Sequence, residues 1–579
     1  MATEKDFNDV LEDIFLSEEK EHKQSYDEGF KAGVEAGNPD GYHLGYHRGA
    51  ELGRELGYYL GIITFHINQN QTLETPYSEK VLNQLLKVKS LIDSFPRENS
   101  EDHDILGMAE TIRAQYKKTC NAPMLSTIKT LANQIDRTIA YLTPLLPLVN
   151  CHMVEFLTSD HWSNLVPSSL RGELDEVGLD EAVDRFWMYA EGKCVDNTEL
   201  CNWVTTANSH YIKVNDDYCL STGQLKDRFR SWGGTVEQEI KVTEFMTSKK
   251  SYEVQTMSPL VASLFHVTSS SCCVEAGGGR GHLPVALCLG YNVPSLTIDC
   301  DENKVRAAEE RVRIIQKQWH AIAKRIKNGC EENISTSINK ELHRFTTAYI
   351  TEETDLAAVV EDMYPEHGHT KILLTGLHTC GDLGPTCLRL STAQYTAAVM
   401  NVPCCYHLLT EGRGFPMSLY LKGYALGRNA RMLAAQSIDR VVNQRQMPAI
   451  SLLYRAVLQK LIKNHLPKET ISEGKLKRLS SKTTNFEQYF KSADAILNLN
   501  LFDNLSRGYH TKINEDLSCQ WRKLVLFYFL RLCLAQVVES VILLDRIMFL
   551  FENGLEKVYL VKLFDPILSP RCHSIVALR

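Results

Sequence analysis

A glycine-rich run that follows an acidic residue is the part of this sequence best suited to bind a ligand. It satisfies the pattern E-x-G-x-G-x-G through Glu275, Gly277, Gly279 and Gly281. Glycines let a turn approach a ligand closely, and the helix expected to start near His282 offers free backbone N–H groups. The sequence therefore predicts that these four residues hold a nucleotide cofactor after the first strand of a sheet.

A second acidic position follows the next short apolar run, residues 295–298. Asp299 comes about 20 residues after the glycine turn, where a carboxylate can accept hydrogen bonds from both ribose hydroxyls of a nucleotide. We therefore predict that Asp299 completes the cofactor site. Asp301 is the alternative if the strand ends two residues later.

Polar and sulfur side chains lie together in two short segments further along the chain. They are His378, Cys380, Asp382, Cys404, Cys405 and His407. Imidazole and thiolate groups are zinc ligands, but the spacing here is irregular for a zinc site. A thiol of lowered pKa could act as a nucleophile, or the group could shape a substrate pocket. We favour pocket shaping and predict no metal site. If the substrate must lose a proton, His378, Asp382 or His407 is the candidate base.

A mainly parallel sheet should position these residues. Apolar runs at residues 371–377 and 395–402 indicate its fourth and fifth strands, and runs at residues 558–564 and 574–578 could supply the last strands. Open α/β sheets bind ligands beyond the carboxyl ends of their strands, which is where the acidic and His/Cys residues fall. The sequence therefore predicts an α/β fold, a Rossmann-like domain of seven strands with helical insertions.

The 579 residues are too many for one ordinary core, because single cores stop growing near ~250 to 300 residues. The net charge of −8 argues against non-specific coating of nucleic acid, which needs a basic face. The acidic first residues predict no secretory signal, and charged side chains interrupt the most apolar stretch, residues 524–550. We expect at least two folding units, no membrane span, and a cytoplasmic or nuclear location.

Glycine recurs at every fourth position over residues 29–61. Each glycine in a helix interior costs about 1 kcal/mol relative to alanine, so the run needs a compensating reason. Close approach of packed helix backbones would supply one, and Asn38-Pro39 should break the run into two helices. The pattern predicts an all-α glycine-repeat domain built on a helical hairpin.

This run resembles the deca-G-x-x-x repeat of the small oral-cancer-overexpressed adaptors, which are related to the Yae domain. The similarity covers residues 1–121 and departs from the pattern at Ser25, which replaces the tenth glycine. Such adaptors help to deliver iron–sulfur clusters from the cytosolic assembly machinery to the ribosome-recycling ATPase. The resemblance implies those partners and a scaffolding role, because no cysteine precedes Cys120 to hold a cluster.

Residues 131–579 resemble the methyltransferase-like protein 25 family through five separated motifs. These are the glycine turn and residues 246–254, 377–383, 403–407 and 564–571. The alternate glycines after an acidic residue are similar to those of class I methyltransferases, whereas dinucleotide sites usually have G-x-G-x-x-G. The resemblance implies S-adenosylmethionine as the cofactor. The N-P-P-Y or D-P-P-Y loop of nucleic-acid amino-methyltransferases is absent from residues 378–382, so RNA and protein both stay open as acceptors.

We predict four segments. They are an adaptor-like helical domain at residues 1–121, a helical region at 122–240, the methyltransferase core at 241–410, and a helical insertion with the last strands at 411–579. The predicted function is S-adenosylmethionine-dependent methyl transfer to an RNA or protein, with a connection to translation. Two alternatives stay open. The Rossmann-like domain could bind cofactor without catalysis in an assembly protein, or two neighbouring genes could have been merged into one chain.

Overall fold

The computed structural model describes residues 23–33, 39–70, 79–97, 104–119, 123–193, 196–241, 246–327, 340–366, 371–467, 485–505 and 507–579, with Leu476, Leu479 and Thr483 singly. Contacts divide the chain into two compact units, Met1–Ser126 and Thr127–Arg579. Each unit has a hydrophobic core of its own. The division falls a few residues after the boundary predicted between residues 121 and 122.

Three helices form the core of the N-terminal unit: α1 (Pro39–Asn70), α2 (Glu79–Asp93) and α3 (Ile105–Thr119). Residues 23–33 are helical as well. The core is aliphatic and consists of Leu56, Ile63, Leu85, Val88, Ile92 and Ile112. Beside it, Arg113 donates two hydrogen bonds to Glu55, from Nε to Oε1 at 2.8 Å and from Nη2 to Oε2 at 2.6 Å. The three helices are therefore held by an apolar core and one bidentate ion pair between α3 and α1.

The prediction of a close backbone contact along the glycine repeat is wrong for its last four glycines. Gly49, Gly53, Gly57 and Gly61 are exposed on α1, and a Cβ added at any of them would meet no atom within 4 Å. A step of four residues turns about 400° on a helix with 3.6 residues per turn, so a glycine stripe drifts around the helix. The aliphatic side chains between the glycines make the packing contacts instead.

The predicted turn between two glycine-bearing helices falls at Asn38, which lies outside the described residues. Pro39 is the first residue of α1, as its missing N–H favours. The core of the unit includes no residue from 23–33. The helix that bears the second half of the repeat packs on α2 and α3, so the predicted hairpin is not the packing that builds this core.

Helices precede the sheet of the second unit. They are α4 (Pro123–Leu142), α5 (Leu146–Asn150), α6 (His161–Leu165), α7 (Ser168–Glu176), α8 (Leu179–Ala190) and α9 (Glu199–Ser209), and α10 (Thr222–Ser231) follows the first strand directly. Others lie between or after the strands: α11 (Ser248–Val267), α12 (His282–Tyr291), α13 (Glu302–Lys327), α14 (Leu356–Met363), α15 (Leu383–Leu390), α16 (Arg428–Leu433), α17 (Ile438–Asn443), α18 (Ser451–His465), α19 (Phe486–Leu497), α20 (Arg507–Leu532) and α21 (Ala535–Glu552).

The sheet contains β1 (Cys219–Ser221), β2 (Cys272–Ala276), β3 (Ser295–Asp299), β4 (His343–Thr347), β5 (Ile372–Cys380), β6 (Thr396–Cys404), β7 (Lys557–Lys562) and β8 (His573–Leu578). Their order is β1-β7-β8-β6-β5-β2-β3-β4. Neighbours are parallel except that β8 is antiparallel to β6 and β7. The central order β4-β3-β2-β5-β6 is that of a doubly wound, Rossmann-like sheet, whose switch point lies between β2 and β5.

The predicted α/β class agrees with this sheet, while the predicted number of strands is one too low. The extra strand, β1, is only three residues long and lies in the region predicted to be helical, residues 122–240. It pairs with β7 at the edge of the sheet. A three-residue strand carries too short a pattern to be recognised from sequence. β5 also runs beyond the predicted end at residue 377, to Cys380.

The most apolar stretch packs inside the protein. Asp516–Glu552 is long and apolar enough to cross a membrane by length and composition, and 89% of its most apolar window is buried within the structure. Two of its charged side chains, those of Arg531 and Glu539, have protein partners: Arg531 Nη2 donates to the Val149 carbonyl at 2.9 Å, and Arg571 pairs with Glu539 at 2.7 Å. The burial of this stretch is that of core helices in the described part of the chain.

Candidate functional site

The glycine turn after β2 needs glycines for two physical reasons. Gly277, Gly279 and Gly281 have φ angles of 68°, 51° and 63°, in the left-handed region that favours glycine. A Cβ at Gly277 would also lie 2.7 Å from Cδ2 of Leu383, and one at Gly278 would lie 2.7 Å from Cγ2 of Thr297. The turn is therefore tightly packed, and Gly281 leads directly into α12.

Glu275 carries a buried carboxyl group near the end of β2. The residue is 3% exposed, and its Oε2 has no hydrogen-bond partner among the described residues. Burial raises the pKa of Glu275 to about 8, with a smaller lowering by Lys250 and a smaller raising by Asp299. A buried acceptor without a donor is costly, so this oxygen is suited to receive a hydrogen bond from a ligand.

Asp299 is hydrogen-bonded to the glycine turn, whereas Asp301 caps the following helix. Asp299 Oδ2 accepts a hydrogen bond from Gly279 N at 2.9 Å, and its Oδ1 accepts one from Asp301 N at 2.9 Å. A carboxylate has about four lone-pair sites, so these bonds leave capacity for ribose hydroxyls. Asp301 Oδ1 instead accepts from Asn303 N at 3.0 Å and caps α13. The geometry favours the first choice, Asp299, over the alternative.

A crevice of about 330 Å³ opens at the switch point between β2 and β5. It is lined by Thr247, Lys250, Glu275, Gly277, Gly278, Arg280, His282, Leu283, Leu377 and His378. Its volume lies at the lower end of the range for small-molecule sites, about 300 to 1,000 Å³. Two of the predicted cofactor residues, Glu275 and Gly277, line it directly. Gly279, Gly281 and Asp299 build the turn behind that lining.

His378 is held in the crevice by a buried carboxylate that the sequence analysis did not single out. His378 Nε2 donates a hydrogen bond to Glu253 Oε1 at 2.9 Å. His378 has a φ of 73° and sits where the register of β5 on β6 shifts, so a bulge turns its side chain. Its side chain keeps 21% exposure, whereas that of Glu253 is 1% exposed.

Glu253 joins three of the separated motifs. Ser569 Oγ donates to its Oε1 at 2.8 Å, and Lys250 Nζ lies 2.9 Å from its Oε2. Burial pushes the pKa of Glu253 upward, but hydrogen bonds and charges of His378 and Lys250 outweigh burial, so the net shift is downward. Glu253 therefore stays ionised and fixes His378, α11 and the C-terminal segment. The sequence signal was weak, because an acidic residue on a helix usually faces solvent.

The other two candidate bases are differently placed. Asp382 accepts hydrogen bonds from the backbone and hydroxyl of Thr410, the former at 2.8 Å, and thereby fixes the loop after β6. His407 is half-buried, and its Nδ1 has no hydrogen-bond partner within the described ranges. Neither lines the crevice. Of the three, His378 is the one that lines the crevice beside the predicted cofactor residues.

Three of the five His and Cys residues considered as a metal group come together. Cys380, Cys404 and Cys405 have their sulfur atoms within 4.8 Å of one another, at the ends of β5 and β6. The pKa of Cys380 is lowered because Cys404 donates a hydrogen bond to it, and the same bond raises the pKa of Cys404. His378 points to Glu253 instead. The cluster therefore contains thiols of unequal acidity.

Comparison with known proteins gives a consistent result. A family model described as a methyltransferase domain matches residues 249–412. The chain is similar to "Probable methyltransferase-like protein 25" of Mus musculus, with 27% identity over 598 residues, covering 79% of this chain and 98% of that protein. It is also similar to the Homo sapiens protein of that name, with 27% identity over 611 residues, covering 80% and 99%. No solved structure matches.

These matches establish that the chain carries a methyltransferase domain and resembles methyltransferase-like protein 25, as the motifs predicted. Residues 249–412 run from α11 through β6 and include the glycine turn, Glu253 and the cysteine cluster. The resemblance of residues 1–121 to iron–sulfur adaptors stays a prediction.

Proposed function

We propose that the second unit is an S-adenosylmethionine-dependent methyltransferase. The observation that carries this proposal is the crevice at the switch point, where Glu275 offers a buried acceptor beside a glycine turn bonded to Asp299. Methyltransferase domains of this kind generally use S-adenosylmethionine. The residues present fit that cofactor, because Glu275, Asp299 and the glycines supply acceptors and close backbone approach.

Within this proposal the bound cofactor supplies an electrophilic methyl group, and the protein aligns the acceptor with it. Alignment in a closed geometry can supply much of the rate enhancement of a displacement reaction. His378 lines the same crevice and is oriented by Glu253, which is the arrangement expected of a general base and the group that positions it. We propose that His378 accepts the proton of an amine or hydroxyl acceptor.

Titration calorimetry of the full chain with S-adenosylmethionine tests the cofactor. Binding that is weakened in Asp299→Ala and unchanged in Asp301→Ala supports the site, because the first carboxylate is bonded to the glycine turn and the second caps a helix. No heat of binding in a folded wild-type protein would refute the proposal.

The acceptor is proposed to be an RNA or a protein connected with translation. Transfer of a labelled methyl group from S-adenosylmethionine would be screened on ribosomes, RNA and the ribosome-recycling ATPase. Cofactor binding without transfer to any acceptor would favour the alternative, an assembly protein with a catalytically silent Rossmann-like domain.

For the N-terminal unit we propose the adaptor role in iron–sulfur protein assembly that its repeat suggests. The supporting observation is that Gly49, Gly53, Gly57 and Gly61 leave a strip of exposed helix backbone on α1. Affinity purification of residues 1–126 and 127–579, each followed by mass spectrometry, tests it. A shared ribosomal or iron–sulfur partner supports one functional protein in the cytoplasm or nucleus. Disjoint partner sets, or no transcript that spans residues 115–130, would favour the merged-gene alternative.

A further inference from the structure

Three cysteines meet at the carboxyl edge of the sheet, two residues beyond the proposed base. Cys380 and Cys404 are register partners at the ends of β5 and β6. Cys405 follows with a φ of 52°, in the left-handed region that non-glycine residues rarely adopt. The Sγ atoms of Cys380 and Cys404 are 3.2 Å apart, and those of Cys404 and Cys405 are 3.7 Å apart. The pairing of β5 with β6 and the left-handed backbone at Cys405 therefore bring three sulfur atoms together at this edge of the sheet.

These separations match those of ligands around one metal ion. Zinc–sulfur bonds are about 2.3 Å long, so two sulfur ligands of a tetrahedral zinc lie about 3.8 Å apart. The three sulfur atoms all lie within 4.8 Å of one another, so small side-chain rotations would bring them to that distance. Three convergent sulfur atoms favour zinc over magnesium or calcium, which prefer oxygen.

A buried cation next to the cluster gives an independent reason to expect negative charge there. Arg546 is 1% exposed, and none of its guanidinium nitrogen atoms has a hydrogen-bond partner in the described part of the chain. The neighbouring carboxylate of Asp545 is engaged by Ser418, from N at 2.9 Å and from Oγ at 2.6 Å. Arg546 lies within electrostatic range of Asp545, Cys404 and Asp382, and its guanidinium carbon is 5.7 Å from the centroid of the Tyr406 ring.

Charge balance connects the two observations. A buried guanidinium without a hydrogen-bond partner is costly, and further negative charge nearby reduces that cost. Three neutral thiols carry no charge, whereas three thiolates around one divalent zinc carry a net charge of −1, since binding displaces three protons. That anion would lie within electrostatic range of Arg546 and add to the negative charge that Asp545 and Asp382 supply there.

We propose that Cys380, Cys404 and Cys405 form a three-sulfur zinc site. The site goes beyond the proposed methyl transfer, which requires no metal. Cys380 is exposed, so the fourth position of the ion faces the solvent side of the sheet edge, and a water or a substrate atom can occupy it. The ion would also tie the end of β5, which carries His378, to the end of β6.

The metal content of the full chain tests the site. The protein is purified under reducing conditions without added chelator, and its zinc content is measured by elemental mass spectrometry. We expect about one zinc ion per chain. After exchange with cobalt, sulfur-to-cobalt charge-transfer bands together with intense ligand-field bands should report thiolates around a tetrahedral ion. Two results together would overturn the proposal. The wild-type protein would contain less than about a tenth of an equivalent of zinc, and the reduced protein would show no such bands when cobalt is added.

Variants locate the ion. Cys404→Ser and Cys380→Ser should each lower bound zinc at least tenfold, because loss of a thiolate removes one of three protein ligands. Cys519→Ser, which changes an exposed cysteine on α20, is the matched control and should retain zinc. Full zinc retention in the triple serine variant would overturn the site. The unreduced, metal-free protein could instead contain a Cys380–Cys404 disulfide and take up no zinc after reduction. That result would also overturn the zinc site and would identify the two cysteines as a redox pair.

Discussion

The burial of Glu275 should make the protein lose stability as the pH rises, and the Glu275→Gln variant should remove this dependence. The ordinary pKa of the side chain is 4.5, and burial raises it to about 8 in the folded protein. Below pH 4.5 the carboxyl is neutral in both the folded and the unfolded state, so its contribution to stability is fully present. Between pH 4.5 and about 8 the unfolded state loses the proton while the folded state retains it, so stability falls.

The size of the effect follows from the same values. Each pH unit within that window changes the free energy of unfolding by about 1.4 kcal/mol for one such group. Between pH 5 and pH 8 the wild-type protein should therefore lose about 4 kcal/mol through Glu275. Glutamine has nearly the same shape and does not titrate, so the stability of Glu275→Gln relative to the wild type should rise by that amount over the interval.

Urea unfolding at several pH values, followed by tryptophan fluorescence, measures the difference. Trp319 reports on this region, since it lies in the same core as Leu283 at the start of α12. Comparison of the two proteins at each pH cancels all the other titrating groups. Glu556→Gln, which changes an exposed carboxylate, is the control and should follow the wild type. Parallel pH profiles for the wild type and Glu275→Gln would refute the argument that burial holds this carboxyl neutral.

Three further predictions concern the cofactor, the base and the glycine repeat. Asp299→Ala should weaken S-adenosylmethionine binding by about 1.5 to 3 kcal/mol in calorimetry, the range for a hydrogen bond to a charged group. Asp301→Ala should leave the affinity unchanged. The reverse result would assign the ribose contact to Asp301. His378→Gln should lower the methyl-transfer rate about 10²-fold or more with unchanged cofactor affinity, and an unchanged rate would exclude the base role. Gly53→Ala should stabilise α1 by about 0.5 to 1 kcal/mol in hydrogen exchange, because the added methyl group points into open space; a loss of protection would reveal a contact on that face.

The local parts of the site could be predicted because each depends on a short stretch of chain. Gly277 and Gly279 adopt left-handed backbone angles that other residues rarely take, so their spacing marks the turn directly. Asp299 ends β3 as predicted, because a short apolar run followed by an acidic residue is typical of a buried strand and its carboxyl end. The strands β5 and β6 were found for the same reason, to within a few residues at their ends.

The partner of His378 could not be predicted, because it depends on contacts between distant parts of the chain. Glu253 lies 125 residues before His378 and 316 residues before Ser569, and only the packing of α11 against the sheet brings the three together. The packing of the glycine repeat was mispredicted for a related reason. Spacing shows which residues share a helix face, but not which face the neighbouring helices cover.

The sequence by itself determined the glycine turn, the α/β class and a methyltransferase domain, because these rest on local backbone requirements and on motifs a few residues long. Only the tertiary structure decided that Asp299 and not Asp301 joins the turn, that Glu253 orients His378, and that Cys380 meets Cys404 and Cys405. These pairings depend on the order and register of strands that are far apart in the chain. The strand order is set by how the whole chain buries its apolar surface, and no single segment encodes it.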